Sequence, residues 1–328
     1  ALGDVGPLFK RVMVTMVAFQ GLSTIYLTFR YHGNYFDTWA ASAWHGLFDS
    51  VMAFNNAGFS LHPDSLARYS GDFWVIVPLS MVVFFGAVGF PVLAELYSHW
   101  RKPSSWTIHT RLTVGGSLGL VLAGMIVFLA FEWANPATLA GQSWSSKLVT
   151  SFEASVMPRS AGFASFDWAQ VRGETQNFTS MLMFIGGGSA STAGGIKVTT
   201  FLLLGYVILA EVRGDAEVRI GLRSIGSATI RSALSIALLA VAFVSATTLL
   251  VMMVTSADYG DALFEVCSAF GTTGLSTGLT AEGGTAVQLI LIFLMFVGRV
   301  GPVTAASTFL LRRKQPRFHL PEERPIIG

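Results

Sequence analysis

Long apolar runs are the feature that most constrains the fold of this chain. A helix needs about 20 apolar residues to cross the ~30 Å hydrocarbon core of a bilayer. Six stretches approach or exceed this length: 12–29, 73–97, 112–131, 178–210, 230–254 and 286–311. Only 12% of the residues are charged, whereas soluble domains carry about 25%. The sequence therefore predicts an all-α polytopic membrane protein and excludes a soluble globule or a disordered chain.

The fourth apolar run is too long for one span and contains a glycine-rich interruption. Residues 186–195 read Gly-Gly-Gly-Ser-Ala-Ser-Thr-Ala-Gly-Gly. Irregular backbone at membrane depth is tolerated only where it lines a cavity or is buried in protein. We therefore expect a broken helix here, with Ser189, Ser191 and Thr192 satisfying the freed backbone groups.

The distribution of basic residues predicts the orientation. If the spans alternate, most of the 21 Lys and Arg residues fall on one side, in segments 10–11, 101–111, 213–231 and 312–324. An excess of Lys and Arg marks the cytoplasmic side. Many acidic residues fall on the opposite, outer side, where they either attract cations or are ordinary solvated loop charges. The net charge of +2 gives no reason to expect a nucleic-acid partner.

Three similar segments recur along the chain, at 48–59, 152–163 and 264–275. In each, a phenylalanine followed by a carboxylate lies ten residues before a glycine, which is Gly58, Gly162 or Gly274. Each segment lies between two spans on the outer side. The pattern predicts three units, 1–97, 98–210 and 211–328, each built as span, short re-entrant helix, glycine loop and span, with a cytoplasmic tail on the last. The alternative is a set of ordinary extracellular turns.

The repeated loops have the chemistry of a cation filter. A short helix that enters the membrane must stop, and glycine permits the close approach or left-handed backbone that the return requires. Several such loops around one axis would present carbonyls in place of a cation's hydration shell, and the negative ends of the short helices would also favour a cation. Carboxylates Asp49, Glu153 and Glu265 are expected within or at the start of these helices, as anchors or as ion ligands. The predicted filter residues form three pore loops: pore loop 1 (Asn55, Asn56, Ala57, Gly58), pore loop 2 (Arg159, Ser160, Ala161, Gly162) and pore loop 3 (Gly271, Thr272, Thr273, Gly274).

These three loops resemble the filter loops of the Trk/Ktr/HKT potassium transporter superfamily. Residues 186–197 resemble the broken second helix of that family's third repeat, and 297–302 resemble the arginine-bearing last helix of its fourth. The tail at 321–328 is most similar to the Ktr branch. The family has four repeats, so the resemblance predicts that the first is absent here, through truncation or because it is unresolved.

The resemblance implies potassium uptake through a channel-like pore, with potassium ions held at the backbone carbonyls of the pore loops. It implies a multi-pass protein of the plasma membrane, which is the prokaryotic inner membrane. It also implies a homodimer on a cytoplasmic, nucleotide-binding regulatory ring (KtrA-like), through which alone ATP and ADP would act. Sodium dependence is a trait of some members, and the sequence does not decide it.

An arginine near the centre of the last apolar run predicts a gate. Arg299 at that depth costs ~2.5–3.5 kcal/mol on insertion scales, so it should face a water-filled path or a carbonyl cluster. The glycine-rich break offers such carbonyls, and we expect a constriction below the filter; the alternative is an arginine that only holds two helices together. Lys197 either faces this loop or reaches the cytoplasmic interface. The predicted gate residues are Gly186, Gly187, Gly188, Ser189, Ser191, Thr192, Gly194, Gly195, Lys197 and Arg299.

Two other function classes compete with transport. An intramembrane serine hydrolase could use the Gly188-Ser189 turn, but a nucleophilic serine needs a base within hydrogen-bond reach and no histidine lies within a predicted span. The sequence therefore predicts that the chain is not an enzyme. A non-conducting fragment or scaffold subunit remains the second alternative.

Overall fold

The computed structural model describes residues 5–221 and 223–301. The end of the last predicted span (302–311) and the predicted tail (321–328) lie outside the described residues. Within them the chain is mainly helical. The helices are α1 (Val5–Tyr31), α2 (Trp39–Phe54), α3 (Phe73–Val88), α4 (Phe90–His99), α5 (Ile108–Glu132), α6 (Trp144–Val156), α7 (Gly173–Phe184), α8 (Val198–Arg213), α9 (Ser227–Thr255), α10 (Tyr259–Phe270), α11 (Leu279–Glu282) and α12 (Gly284–Val300). Single 3-10 turns lie at Ala67–Tyr69, Pro103–Ser105 and Trp168–Gln170, and β1 (Arg219–Ile220) pairs antiparallel with β2 (Arg223–Ser224).

Among the described residues, three continuous helices are long and apolar enough to cross a bilayer. They are α1 from Phe9, α5 and α9. Each keeps large apolar side chains on its outer face, such as Leu22 on α1 (70% exposed) and Leu238 on α9 (69% exposed). A helix that is apolar on its exposed face as well as its packed face is suited to lipid. The polytopic membrane fold predicted from the apolar runs therefore agrees with these surfaces.

The second predicted span, 73–97, is not one continuous helix. The chain bends by 103° between α3 and α4. The break is at Gly89, whose φ of 101° is open to glycine and strained for other residues. Pro91 then lies in the first turn of α4, where a proline needs no hydrogen-bond acceptor. The apolar run continues through the bend, so the sequence contained no sign of it, and the span at 73–97 stays a prediction.

Short helices α6 and α10 are largely buried among the longer helices, whereas α2 packs on α1 and α3 and leaves Trp44 and Leu47 exposed. The hydroxyls of Thr38 and Ser143 cap α2 and α6 by accepting hydrogen bonds from the backbone N–H of Ala41 and Ser146. Phe163, the residue after pore loop 2, packs in an apolar core with Phe54 and Tyr69. Leu275, the residue after pore loop 3, packs in another with Phe264 and Phe270. These contacts anchor the chain where it leaves each pore loop.

Candidate functional site

The three pore loops share an unusual backbone. Each contains two residues in the left-handed region, the glycine and the residue two positions before it. Their φ values are 49° and 70° for Asn56 and Gly58, 80° and 70° for Ser160 and Gly162, and 48° and 98° for Thr272 and Gly274. Left-handed backbone costs a non-glycine residue roughly 1–2 kcal/mol. The three loops are therefore equivalent in conformation as well as in sequence spacing.

Backbone carbonyls of neighbouring loops point at the glycines. A Cβ atom added to Gly58 would lie 2.6 Å from the oxygen of Ala161 and 2.9 Å from that of Thr273. A Cβ atom on Gly162 would collide with the Thr273 oxygen. The carbonyl that precedes the glycine in one loop thus lies against the glycine of the next. Only residues without side chains fit at Gly58 and Gly162.

Direct hydrogen bonds join pore loops 2 and 3. The Ser160 hydroxyl donates to the oxygen of Gly271 (2.8 Å), and the Thr273 hydroxyl donates to the oxygen of Pro158 (3.1 Å). These side chains therefore serve the packing between loops. In pore loop 1, Asn55 instead donates from its amide to Val51 on its own helix (2.9 Å). Ala57 and Ala161 place small side chains between the paired left-handed residues.

Arg159 lies behind pore loop 2 and is 2% exposed. Its guanidinium donates to the backbone oxygen of Ser117 on α5 (3.3 Å), to the Ser117 hydroxyl (3.2 Å) and to the oxygen of Gly186 (3.2 Å). The arginine therefore connects the pore loop to α5 and to the start of the glycine-rich break. Its backbone belongs to the loop, whereas its side chain supports the loop from behind.

The break between α7 and α8 is a folded intramembrane loop, residues 185–197. Its two ends are joined, since Gly186 N donates to the oxygen of Ile196 (2.9 Å) and Ile196 N donates to that of Phe184 (3.1 Å). The Ser191 hydroxyl donates to Gly188 (2.6 Å), and Gly195 has a φ of 70°. Of the two alternatives for Lys197, the structure has its amine facing the loop, where it donates to the oxygen of Ala193 (2.6 Å).

The bend between α3 and α4 receives one side of the intramembrane loop. Gly188 N donates to the oxygen of Ala87 (2.7 Å), and Phe90 N donates to that of Ala190 (3.3 Å). A Cβ atom on Gly187 would lie 2.5 Å from the Ala87 oxygen. The bend thus leaves carbonyl and N–H groups of α3 and α4 without partners in their own helices, and the intramembrane loop forms hydrogen bonds with them. Ser189 at the far side lies 3.1 Å from the hydroxyl of Thr199 on α8.

The intramembrane loop also contacts the pore loops. Gly194 N donates to the Ser160 hydroxyl (2.9 Å), and the Asn56 amide lies 2.9 Å from the Thr192 hydroxyl. A Cβ atom on Gly194 would lie 2.8 Å from the oxygen of Gly271. Because the loop follows α7 into the membrane from the side where the short helices begin, it lies on the inner side of the pore loops. All three pore loops are in contact with it.

Arg299 approaches the intramembrane loop from α12. Its guanidinium donates to the backbone oxygen of Thr192. The preceding residue, Gly298, lets α12 approach α10 closely, because a Cβ atom there would collide with the oxygen of Phe270. Two cationic side chains, Arg299 and Lys197, therefore bind neighbouring carbonyls of the same loop. The glycines of the pore loops predicted part of this left-handed backbone. Asn56, Ser160 and Thr272 are also left-handed, but in the sequence nothing distinguishes them from ordinary turn residues.

Comparisons with known proteins show which family the chain belongs to. The family model described as TrkH, cation transport protein, matches residues 3–319. The chain is 36% identical over 327 residues to the Ktr system potassium uptake protein B of Bacillus subtilis (strain 168), covering all of this chain and 73% of that protein. It is 33% identical over 297 residues to the potassium/sodium uptake protein NtpJ of Enterococcus hirae, covering 88% of this chain and 65% of that protein.

A solved structure has the same fold. The crystal structure of the potassium transporter TrkH from Vibrio parahaemolyticus superposes with a TM-score of 0.76 at 16% identity, covering 94% of this chain and 65% of that one. These matches confirm the predicted membrane fold and the prediction that the chain is not an enzyme, because the matched proteins are transporters. The chain belongs to the TrkH family of cation transport proteins.

Proposed function

We propose that this protein takes up potassium ions across the plasma membrane through a pore whose filter is formed by the three pore loops. The observation that carries the proposal is the contact of equivalent loops, in which the carbonyls of Ala161 and Thr273 lie against the glycines of neighbouring loops. Backbone carbonyls at such a junction replace the hydration shell of a cation. Two relatives are named as potassium or potassium/sodium uptake proteins, which supports potassium as the cargo and leaves sodium as a second substrate or a coupling ion.

The proposed gate is the intramembrane loop, 185–197. It lies beneath the pore loops, and Arg299 and Lys197 bind its carbonyls. In this closed arrangement the loop blocks the path, and the fixed positive charge of Arg299 repels cations that leave the filter. Movement of the loop away from Ser160 and Arg299 would open the path to the cytoplasm.

The assembly is proposed from the Ktr relatives. The three units, 1–97, 98–210 and 211–328, are proposed as successive repeats around the pore axis, and the protein as a homodimer on a KtrA-like nucleotide-binding ring. The cytoplasmic segments 101–111 and 213–231 offer basic surfaces for that ring. Light scattering of the purified protein, with and without a candidate ring and ATP or ADP, measures both associations.

Rubidium uptake into proteoliposomes tests the gate. Arg299→Ala should raise the initial rate about tenfold or more, because a hydrogen bond from a charged donor contributes about 1.5–3 kcal/mol to the closed arrangement. The matched control is Arg231→Ala, which removes an exposed arginine of α9 and should leave the rate unchanged. A lower rate for a folded Arg299→Ala protein would show instead that this arginine is structural. Absence of uptake by the folded wild-type protein would favour the scaffold alternative.

A further inference from the structure

Each short helix has a buried carboxylate at the same position relative to its pore-loop glycine. Asp49, Glu153 and Glu265 all lie nine residues before Gly58, Gly162 and Gly274, and their exposed fractions are only 2%, 1% and 3%. All three lie in the second halves of α2, α6 and α10. They therefore lie within the short helices and not at their starts, so the helix dipole does not account for them.

Glu265 binds the segment that leaves pore loop 3. One carboxylate oxygen accepts hydrogen bonds from the Ser276 hydroxyl (2.5 Å) and from the backbone N–H of Thr277 (2.8 Å). The other oxygen accepts one from the Thr280 hydroxyl (2.5 Å). The carboxylate thus fixes the chain two to six residues after Gly274. With both oxygens occupied by donors, it is not arranged as a direct ligand for a passing ion.

Glu153 makes the equivalent contact in pore loop 2. One of its carboxylate oxygens accepts a hydrogen bond from the hydroxyl of Ser165. Ser165 lies three residues after Gly162, as Thr277 lies three residues after Gly274. In both loops the carboxylate therefore joins the short helix before the loop to the segment after it.

Asp49 is used differently. Its carboxylate accepts a hydrogen bond from the hydroxyl of Tyr31 on α1 (2.7 Å), and Tyr31 stacks on Tyr69 with 5.0 Å between ring centroids. This acid joins α2 to a neighbouring helix. The same sequence position thus has two structural roles, a link across the loop in pore loops 2 and 3 and a link between helices at pore loop 1.

We propose that Glu153 and Glu265 are positioning residues that set the cation selectivity of pore loops 2 and 3, whereas Asp49 only stabilises the packing of α2. The inference rests on the proposed function, because it needs the loops to be the filter. The carbonyls of Ala161 and Thr273 lie at the junction of the loops, and each has a short helix before it and the segment that leaves the loop after it. The carboxylate joins the short helix to that segment. The loop between them therefore has little freedom to adjust the spacing of its carbonyls to a smaller ion.

Glu265→Gln is the direct test, because it keeps the shape and replaces one accepting oxygen with a donating NH2 group. The amide keeps one accepting oxygen, but its NH2 group can no longer accept from the Thr280 hydroxyl, and the loss of the negative charge weakens the remaining hydrogen bonds of the link. Competition of sodium and potassium against rubidium uptake measures the selectivity ratio. We expect Glu265→Gln to reduce the potassium preference about tenfold or more, and Asp49→Asn, the matched control at the equivalent position, to leave it unchanged in the folded protein.

Two further measurements keep the proposal open to refutation. If Glu265→Gln does not fold, the double variant Ser276→Ala/Thr280→Val removes donors and leaves the charge in place, with the same expected loss of preference. Hydrogen exchange of amides 275–278 should accelerate in Glu265→Gln and not in Asp49→Asn. Unchanged selectivity in a folded Glu265 or donor variant, or an equal loss in Asp49→Asn, would overturn the proposal. If the wild type shows no uptake, the proposed function fails, and the exchange rates alone decide whether the link exists.

Discussion

The hydroxyl of Ser160 joins the proposed filter to the proposed gate, and its removal tests the coupling between them. It accepts a hydrogen bond from Gly194 of the intramembrane loop (2.9 Å) and donates one to Gly271 of pore loop 3 (2.8 Å). Ser160→Ala removes both bonds and changes nothing else about the strained backbone, because alanine at a φ of 80° has a strain similar to that of serine. The substitution therefore changes these two hydrogen bonds and leaves the backbone conformation as it is.

The expected size of the rate increase depends on which of these two hydrogen bonds breaks when the intramembrane loop moves. The bond to Gly271 joins two pore loops, so it is present with the gate closed or open. The bond from Gly194 exists only while the intramembrane loop lies against the filter. Leaving that buried N–H without an acceptor costs about 1–3 kcal/mol, and this cost falls on the closed arrangement alone. It corresponds to a shift of about 5- to 150-fold toward the open arrangement.

Rubidium uptake into proteoliposomes at a fixed potassium gradient measures this shift. We expect Ser160→Ala to have a higher initial rate than the wild type. The control is Ser155→Ala on α6, which removes a buried hydroxyl that donates to Val121 (2.6 Å) and has no bond to the intramembrane loop. An unchanged or lower rate for a folded Ser160→Ala protein, with Ser155→Ala equal to wild type, would refute the coupling.

Two other predictions concern stability. Gly89→Ala should lower the melting temperature and the yield of folded protein, because a side chain at a φ of 101° is strained and its Cβ would lie 2.7 Å from the oxygen of Ser189; a wild-type melting curve would contradict the role of the bend. On the outer side, the rings of His45 and His62 stack at 4.8 Å, and Arg68 lies 3.3 Å from the His62 ring nitrogen. Burial, and then the neighbouring charge of Arg68, holds the pKa of His62 below its ordinary value. The contribution of His62 to stability is therefore full above about pH 6.5 and is lost as the pH falls through its lowered pKa. Melting curves at pH 7.5 and pH 5 should differ less in His62→Gln than in the wild type, and an equal difference would contradict this assignment.

Sequence reasoning reached the parts of the site that depend on glycine and on burial of charge. Gly58, Gly162 and Gly274 stood out because few other residues tolerate both left-handed backbone and a neighbouring carbonyl. Arg299 stood out because an arginine in an apolar run needs polar partners. Its contact with Thr192 belongs to the same glycine-rich segment that the sequence indicated, although its role in gating stays a prediction.

Other features depend on contacts between distant segments, which no local pattern encodes. The bend at Gly89 lies in an uninterrupted apolar run, and it forms because the intramembrane loop supplies partners for its freed backbone groups. Arg159 was assigned to the filter from its place in the repeat, and the sequence did not indicate that its side chain binds Ser117 and Gly186 behind the loop. Likewise, the sequence treated the three equivalent carboxylates alike, as anchors or as ion ligands, whereas their hydrogen-bond partners differ between Asp49 and the two glutamates.

Selective cation uptake by the wild-type protein tests the central claim most directly. Purified protein in proteoliposomes with a potassium-loaded interior should take up external rubidium with saturable kinetics. External potassium should compete with this uptake at much lower concentration than external sodium. Folded, inserted protein that admits no rubidium, or that is inhibited equally by sodium and potassium, would contradict the claim that these pore loops form a potassium filter.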